Sequence, residues 1–355
     1  MRYAVILNGD LSAPHLKIYT NILDEKKIPY DVISWDRSCN FEKNEFTYSE
    51  PSAYTLSSYQ RLWSYVKFSR FIKKLVKKYQ YEKLIVISPQ VALFMPFFLK
   101  KNYKGRYIFD YRDLSIEQKK PFKPLMKIVL ENSYANVISS PGFKDYLPKG
   151  YEYILSHNFN IRTVELALRG KAAPLPEGAL KLLTIGGIRT DANYEVIDAL
   201  GNVVGIELDF VGKGGAAPML EKYSKDKGLT NITFKGQYKK EEEGGIIKQH
   251  TMINIFYPNW PSHVSALSNR FYNSLVYKRP MLVTKGGTQG YYAEKFGVGL
   301  AVESCEGLAD KLKEYVASLD FEGYEKRCND LLREFVKDYE IFDAVVERFI
   351  ASRHE

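Results

Sequence analysis

Short apolar segments alternate with amphipathic segments along this chain, and the alternation runs through two separate series. In the first series the apolar segments lie at residues 3–7, 30–34, 84–87, 106–109, 137–139 and 152–155. In the second series they lie at residues 181–185, 206–211, 232–234, 252–256 and 281–284. Strands that alternate with helices form a parallel sheet with helices on both faces. The sequence therefore predicts an α/β fold with two doubly wound sheets.

A change of composition near residue 170 separates the two series. Residues 169–178 contain two prolines and two glycines and show no periodicity, which is typical of a linker. The 355 residues also exceed the usual size of a single hydrophobic core. We therefore expect a first domain over residues 1–168, a linker over residues 169–178 and a second domain over residues 179–335. With two such domains, a ligand is expected in a cleft at the carboxyl ends of the sheets.

The cysteine content and the hydropathy favour a cytoplasmic protein. Cys39, Cys305 and Cys328 are widely spaced, and their spacing matches no metal or redox motif. No segment is long and apolar enough to span a bilayer, and residues 1–10 lack the pattern of a signal peptide. We expect location in the cytoplasm, with peripheral association at the inner face of the plasma membrane as a further hypothesis.

One predicted helix concentrates part of the net charge of +9. Apolar residues recur with helical spacing from residue 67 to residue 79. The other face carries six cations, Lys67, Arg70, Lys73, Lys74, Lys77 and Lys78. This face is either solvated or attracted to anionic membrane lipids, at roughly 1 kcal/mol per basic residue. Nucleic acid is not expected as a partner, because no recognisable binding motif accompanies the charge.

Residues 268–283 have the pattern of a helix followed at once by a strand. Ser268 is a typical N-terminal cap, and Pro280 stops the helix before the apolar residues 281–283. The N-terminus of a helix gathers unpaired backbone N–H groups and a partial positive charge, so it favours phosphate. Arg270 in the first turn would add a full positive charge beside those donors.

This segment resembles the nucleotide-sugar-binding helix of GT-B glycosyltransferases of the family-four type. In that family a small residue, an Asn or Ser, a basic residue and two bulky residues precede a Glu and a Gly-(Lys)-Pro turn. Asn273 stands where the family usually has this Glu, which binds the ribose. Replacing a charged hydrogen-bonding partner by a neutral one costs on the order of 1–1.5 kcal/mol, or about tenfold in donor affinity.

The resemblance implies two Rossmann-like domains facing across a cleft, with a last helix, residues 336–355, that returns to the first domain. It also implies a donor site. The implied donor-binding residues are Gly187, Arg189, Lys213, Gln237, Tyr238, His263, Ser268, Asn269, Arg270 and Asn273. Glycines let a backbone approach a phosphate closely, and an arginine can neutralise it. Taken alone, these segments are also compatible with tight turns, a solvated lysine and an exposed histidine without a role.

A segment of the first series resembles the Arg-Asp-Leu-Trp-Pro-Glu segment of bacterial family-four transferases that act on polysaccharide and lipopolysaccharide intermediates. The matching residues are Arg112, Asp113, Leu114 and Glu117. A carboxylate at the carboxyl end of a strand can orient an acceptor hydroxyl or accept its proton. The implied catalytic residues are Asp113 and, in the loop after the first strand, Asp10. The alternatives are a local Arg–Asp pair and a helix cap.

The sequence contains no His-x-x-x-His, no paired cysteines and no Asp-x-Asp after a strand, so no metal is expected. The expected ligand is then the substrate alone, a UDP- or GDP-linked sugar. Basic side chains would stabilise the diphosphate as it departs. The expected function is a retaining hexosyltransferase that acts on a bacterial surface glycan or lipid-linked intermediate. A nucleotide-sugar epimerase and a non-catalytic GT-B-like scaffold that binds a glycan or a partner protein are the alternatives.

Overall fold

The computed structural model describes residues 2–9, 11, 13–37, 39, 44–51, 56–189 and 192–352. The chain divides into two compact units, and each unit contains one parallel sheet. The first unit consists of Met1–Asn158 and Asp338–Glu355, and the second consists of Phe159–Lys337. The predicted α/β class with two doubly wound sheets is confirmed.

The first unit contains a sheet of seven strands. Its strands are β1 (Tyr3–Leu7), β2 (Tyr30–Asp36), β3 (Thr47–Ser49), β4 (Lys83–Ile87), β5 (Tyr107–Tyr111), β6 (Ala135–Ile138) and β7 (Ile154–Leu155). Its helices are α1 (Pro14–Glu25), α2 (Ser58–Tyr79), α3 (Pro89–Leu93), α4 (Pro96–Tyr103) and α5 (Lys123–Asn132). The strands follow the order β3-β2-β1-β4-β5-β6-β7. Strands β1, β4 and β5 are buried along their whole length, as expected of the centre of a parallel sheet.

The second unit contains a sheet of six strands. Its strands are β8 (Leu180–Gly187), β9 (Ile206–Lys213), β10 (Ile232–Gly236), β11 (Met252–Ile255), β12 (Met281–Thr284) and β13 (Gly299–Val302). Its helices are α6 (Ile161–Arg169), α7 (Asn193–Leu200), α8 (Ala217–Asp226), α9 (Glu243–Lys248), α10 (Pro261–Val264), α11 (Asn269–Tyr277), α12 (Thr288–Phe296) and α13 (Leu308–Ala317). The strand order β10-β9-β8-β11-β12-β13 reverses between β8 and β11. In open parallel sheets, ligands bind beyond the carboxyl ends of the strands at such a reversal.

The second unit begins earlier than the boundary at residue 168 that composition suggested. Helix α6 belongs to it, because Val164 is fully buried in the same core as Leu275 of α11. Residues 173 and 174 also lie against this unit, since their carbonyl oxygens each accept a hydrogen bond from the buried Arg279 at 2.9 Å. Composition alone marked residues 169–178 as a linker because these contacts are not local in sequence.

A long last helix, α14 (Phe321–Ala351), contributes residues to both units. In the first unit its Phe342, Val346 and Phe349 are buried in the same core as β1. The fully buried Lys83 of β4 donates from Nζ to the carbonyl oxygens of Phe349, Ile350 and Ser352. Because the last carbonyl groups of a helix lack partners within it, this ammonium group caps the helix.

Candidate functional site

The carboxyl end of β8 lies at the reversal of strand order and finishes in Gly186 and Gly187. Gly186 has a φ of +88°, a conformation that other residues rarely adopt. A Cβ atom on Gly212, at the end of β9, would lie 2.0 Å from the carbonyl oxygen of Gly186. A Cβ atom on Gly214 would lie 1.9 Å from the carbonyl oxygen of Ile188. The glycine-rich turn after β9 is therefore required for backbone packing that supports the end of β8.

Arg270 is buried, with a relative exposure of 6%, and its guanidinium binds both strands at the reversal. Its Nε donates to the carbonyl oxygen of Ile185 at 2.5 Å, and Nη2 donates to that of Gly187 at 2.9 Å. Its Nη1 donates to the carbonyl oxygen of Asn254, on β11, at 3.4 Å. No carboxylate of the described residues forms an ion pair with Arg270, so the carbonyl groups hold a charge that they do not neutralise.

The first turn of α11 presents its backbone N–H groups beside this guanidinium. Ser268 caps the helix as predicted, because its Oγ accepts a hydrogen bond from the Phe271 N–H at 3.3 Å. The Oε1 of the buried Gln289, on α12, accepts from both the Ser268 N–H at 3.0 Å and the Ser268 hydroxyl at 2.7 Å. Asn269 is exposed, and Asn273 lies half-buried one turn later on the helix.

Two further cations lie next to Gly187, whose carbonyl oxygen Arg270 binds. Lys213 is the register partner of Gly187 across the β8–β9 ladder, and its side chain is exposed. The Arg189 side chain folds back over the glycine, since a Cβ atom on Gly187 would lie 3.1 Å from Arg189 Nε. Two arginine side chains therefore lie against one glycine at the end of a central strand, and a lysine is its backbone neighbour across the ladder.

The loop after β11 forms a row of aromatic rings that starts at Arg270. The Arg270 guanidinium carbon lies 5.7 Å from the centre of the Tyr257 ring, and the Tyr257 and His263 rings are 5.0 Å apart. His263 in turn stacks on Trp260 at 5.4 Å and 22°. Burial lowers the pKa of His263, which keeps the ring neutral at pH 7. Trp260 is 54% exposed, an unusual position for so large an apolar side chain.

Tyr238 lies on the other side of the β8 end, close to Gly186. Its hydroxyl is 3.8 Å from where a Cβ atom of Gly186 would be, and it donates to Glu243 Oε1 at 2.9 Å. Burial, and then the Glu243 carboxylate, raises the pKa of Tyr238, so the phenol stays protonated. Gln237 precedes it with an exposed side chain just beyond the edge strand β10.

The candidate acceptor residue Asp113 lies in the first unit, directly after β5, and its side chain is exposed. Its neighbour Arg112 turns inward, where Nη2 pairs with Asp110 Oδ2 at 2.6 Å and Nη1 donates to the Ser156 carbonyl oxygen at 2.9 Å. Glu117 is also buried and accepts a hydrogen bond from the Tyr111 hydroxyl at 2.7 Å. Two residues of this segment, Arg112 and Glu117, therefore form their side-chain interactions in the interior of the first unit. Asp10 lies outside the described residues.

His15, on α1, lies near the Arg112–Asp110 pair. Burial, and then the positive charge of Arg112, lowers the pKa of His15 to about 4, while Asp110 opposes this shift. The imidazole is therefore neutral at pH 7 in the folded protein. The polar cluster of the first unit thus contains its own carboxylate, whereas no carboxylate of the described residues forms an ion pair with Arg189, Lys213 or Arg270.

Two kinds of feature are absent from the described part of the chain. There, no group of three or more His, Cys, Asp or Glu side chains is arranged to hold a metal ion. Within the same residues, no helix is both long enough and apolar enough to cross a membrane.

Comparison with solved structures defines the fold family. Sucrose-phosphate synthase from Thermosynechococcus elongatus matches with a TM-score of 0.70 and 14% sequence identity, over 99% of this chain and 100% of that chain. The apo form of the lipopolysaccharide outer core galactosyltransferase WaaB matches with a TM-score of 0.60 and 16% identity, over 98% and 99% of the two chains. HepE from Anabaena, in complex with UDP, matches with a TM-score of 0.61 and 11% identity, over 98% and 99%.

The chain has the GT-B fold. At identities of 16% and below, these likenesses establish the fold alone. No protein-family model and no curated protein matches the sequence.

The fold places some of the predicted donor-binding residues together at the carboxyl end of β8 and places others farther from it. Those at or beside the end of β8 are Gly187, Arg189, Lys213, Tyr238 and Arg270. Ser268, Asn269 and Asn273 lie on the adjoining helix, whereas Gln237 is exposed past the sheet edge. Sequence reasoning missed the support that Gln289 gives to Ser268 and the exposed Trp260. The glycine pair that precedes α12 was the available signal for the position of Gln289, and the presence of a tryptophan in a predicted binding loop was the signal for Trp260.

Proposed function

We propose that this protein is a glycosyltransferase that moves a sugar from a nucleoside-diphosphate donor to a bacterial surface glycan or a lipid-linked intermediate. The observation that carries the proposal is the buried Arg270, whose hydrogen bonds to the described residues all go to neutral carbonyl groups. A buried charge without a counter-ion is costly, so an anion that binds there recovers the lost electrostatic energy.

A diphosphate fits this position better than a single carboxylate would. The side chains of Arg270 and Arg189 lie against Gly187, Lys213 pairs with it across the ladder, and the N-terminus of α11 adds backbone donors and a partial positive charge. Several cations that converge from different elements suit a ligand with several charged oxygens. We assign the diphosphate of a UDP- or GDP-linked sugar to this place, with Asn273 at the ribose and with Gln237 and Tyr238 at the base.

The loop after β11 supplies a surface for the sugar ring. The row from Tyr257 through His263 to Trp260 leads away from Arg270 and ends in an exposed indole. The hydrogen bonds from the His263 and Val264 N–H groups to the Trp260 carbonyl oxygen, at 2.8 and 2.9 Å, fix the backbone of this residue. A held aromatic ring loses little conformational entropy when a ligand packs on it.

Transfer breaks the bond between the anomeric carbon and the diphosphate oxygen, which keeps the electron pair. Arg270 and the helix N-terminus stabilise the charge that develops on that oxygen. The acceptor oxygen forms the new bond, and Asp113 of the first unit orients the acceptor hydroxyl or accepts its proton. Because side-chain cations supply this stabilisation, we expect transfer without a metal ion, and the likeness to family-four enzymes favours retention of configuration.

Thermal unfolding with a panel of nucleoside diphosphates and their sugar conjugates, without and with magnesium, tests this proposal. A ligand at a hundred times its dissociation constant adds about 2.7 kcal/mol to stability and raises the midpoint by several degrees. We expect one base to be preferred, no dependence on magnesium, and slow release of free nucleoside diphosphate from the matching sugar conjugate. If Gln237 contacts the base, the Gln237→Ala variant should show a smaller difference in thermal shift between the preferred nucleotide and the others.

A non-catalytic scaffold is the other candidate, and Asn273 in place of the usual Glu is the observation that favours it. The same panel separates the two. Binding without any release of nucleoside diphosphate, in the presence of membrane extract as a source of acceptor, would support the scaffold. Absence of binding to every nucleotide would contradict the assignment of Arg270.

A further inference from the structure

The positive charge of this chain is concentrated in one part of the first unit. Residues 58–127 contain 17 Lys and Arg against 4 Asp and Glu, whereas the whole chain has a net charge of +9. The remainder of the chain is therefore net negative. A charge separation of this size produces a long-range field that selects an anionic partner.

Helix α2 carries one exposed stripe that combines this charge with aromatic rings. Its members follow a spacing of three or four residues and are Tyr59, Trp63, Lys67, Arg70, Lys74 and Lys77. Tyr59 is 77% exposed and Trp63 is 44% exposed, so both rings project from the protein. The Arg70 guanidinium carbon lies 5.1 Å from the centre of the Trp63 ring, which joins the aromatic end of the stripe to its basic end.

Helix α4 repeats the same combination beside α2. Phe97 is 64% exposed, and Lys100, Lys101 and Lys104 follow it at helical spacing with exposed side chains. Phe94, two residues before α4, contacts α2 at two points. Its ring stacks on Tyr65 at 5.3 Å, and its carbonyl oxygen accepts a hydrogen bond from Lys73 Nζ at 3.5 Å, one turn of α2 from both Arg70 and Lys77 of the stripe.

The same contact extends to the start of α5. The Phe94 ring also lies 6.2 Å from Phe122. Phe122 stands among the exposed lysines 119, 120, 123 and 127. Basic side chains from three neighbouring helices therefore belong to one surface, which also bears the exposed rings of Tyr59, Trp63 and Phe97.

Few of these cations are neutralised. Among the described residues of α2, α4 and the start of α5, only Lys67 and Lys78 form ion pairs with carboxylates, namely with Glu50 and Glu45. Burial, and then repulsion by Arg70 and Lys77, lowers the pKa of Lys73, so these charges act on one another. An external anionic surface would relieve this repulsion.

We propose that this face, formed by the exposed residues of α2, α4 and the start of α5, docks on the anionic lipid surface of a membrane. Tryptophan and tyrosine favour the boundary between headgroups and hydrocarbon, and lysine and arginine are attracted to anionic headgroups. The exposed Leu62 adds an aliphatic side chain to the same helix end, which a lipid boundary accepts and which base stacking in nucleic acid does not use. This inference does not depend on the proposed transfer activity.

Co-sedimentation with vesicles tests the proposal. We expect the protein to bind vesicles of phosphatidylcholine with phosphatidylglycerol, to bind pure phosphatidylcholine weakly, and to lose binding as salt is raised. The Lys74→Glu/Lys77→Glu variant should lose at least tenfold in partitioning to the anionic vesicles. The Lys311→Glu/Lys313→Glu variant, which makes the same charge change on α13, is the matched control and should bind like the unchanged protein.

A second measurement follows the aromatic side chains. The chain has three tryptophans, Trp35, Trp63 and Trp260. Trp35 is buried and Trp260 belongs to the second unit, so a shift of the fluorescence to shorter wavelength on anionic vesicles is expected from Trp63. The Trp63→Phe variant should lose this shift while it keeps its fold and its salt-dependent binding. Equal binding by both charge-reversal variants, or no binding at low salt, would overturn the proposal, as would tighter binding to single-stranded RNA than to the vesicles. The thermal shift that nucleotides induce in these variants tests the transferase proposal separately, because it does not depend on binding to vesicles.

Discussion

Arg112 and Arg270 occupy similar positions in the two units but differ in their partners. Both are buried, at relative exposures of 8% and 6%. Arg112 directly follows β5, and the guanidinium of Arg270, which extends from helix α11, binds the carboxyl end of β8. Arg112 pairs with the Asp110 carboxylate and binds Ser156. Among the described residues, the hydrogen bonds of Arg270 all go to backbone carbonyl oxygens.

This difference in partners distinguishes an arginine whose charge is neutralised inside the protein from one whose charge can still bind an anion. A guanidinium paired with a buried carboxylate is electrically satisfied, and removing one member leaves the other charge exposed to a low dielectric. A guanidinium bound to carbonyl groups is held in place but keeps its charge, so it can still attract an anion. The resemblance covered both residues, and the type of acceptor is what distinguishes Arg270, which the proposed function assigns to the substrate, from Arg112.

Removal of Arg112 should have the largest effect on stability. The Arg112→Met variant leaves Asp110 buried without a partner, which should cost about 3–5 kcal/mol in the free energy of unfolding. Denaturant unfolding measures this loss. The Arg112→Met/Asp110→Asn double variant removes both charges and should recover part of it. The nucleotide-induced thermal shift should persist in both variants, and its loss would show that the two arginines are not separable as described.

Removal of Arg270 should act mainly on the ligand. The Arg270→Ala variant should lower kcat/KM by about 10²–10³, in the range found when one preorganised donor to a developing anion is removed. Circular dichroism checks that the fold is retained. The Arg270→Lys variant keeps the charge but cannot reach the carbonyl groups of both strands, so it should recover only part of the activity. Unchanged turnover in the alanine variant would remove Arg270 from the site.

Acid should weaken the first unit through His15. Its pKa of about 4 in the folded protein lies below the ordinary value of 6.5, so between these pH values the unfolded chain binds a proton that the folded protein does not. Stability should therefore fall as pH decreases from 6.5 to 4, by about 3 kcal/mol from this group. Unfolding of the His15→Asn variant over this range should depend less on pH. A dependence as steep as that of the unchanged protein would exclude His15 as its source.

The smallest expected change concerns the ribose contact. The Asn273→Glu variant restores the residue that the family usually has, and should tighten donor binding by on the order of 1–1.5 kcal/mol, or about tenfold. Calorimetric titration of the preferred nucleoside diphosphate measures the change. The Gln249→Glu variant adds the same charge at an exposed position at the end of α9, outside the site, and serves as the control. Equal effects of the two substitutions would indicate a general electrostatic effect and not a ribose contact.

Local sequence signals predicted the elements of the fold better than they predicted the site. Ser268 as a cap and the strand Met281–Thr284 follow from residues within one turn of each other, and β1 was expected at the residues where it occurs. The start of α2 at Ser58 was not expected, because residues 58–63 are exposed and bury no apolar side chain that would mark a helix packed on the core. The short β3 and β13 were also missed.

The partners of the site residues could not be read from local patterns. Arg270 binds Ile185 across 85 positions of the chain, and Ser268 binds Gln289 across 21. The inward orientation of Arg112 depends on Ser156, which lies on a segment 44 residues away. Such contacts arise only when the sheets have assembled, so the sequence could nominate these side chains but could not tell which were neutralised.

The discontinuity of the first unit has a consequence for synthesis on the ribosome. The second unit is one contiguous stretch, whereas Lys83 finds its carbonyl partners only at residues 349, 350 and 352. The buried ammonium group of an early segment thus finds its partners only after a segment 266 residues later has been translated. The nascent chain is therefore expected to complete its later half before its earlier half, and an early stop codon that removes residues 349–352 would leave the beginning of the protein unfinished.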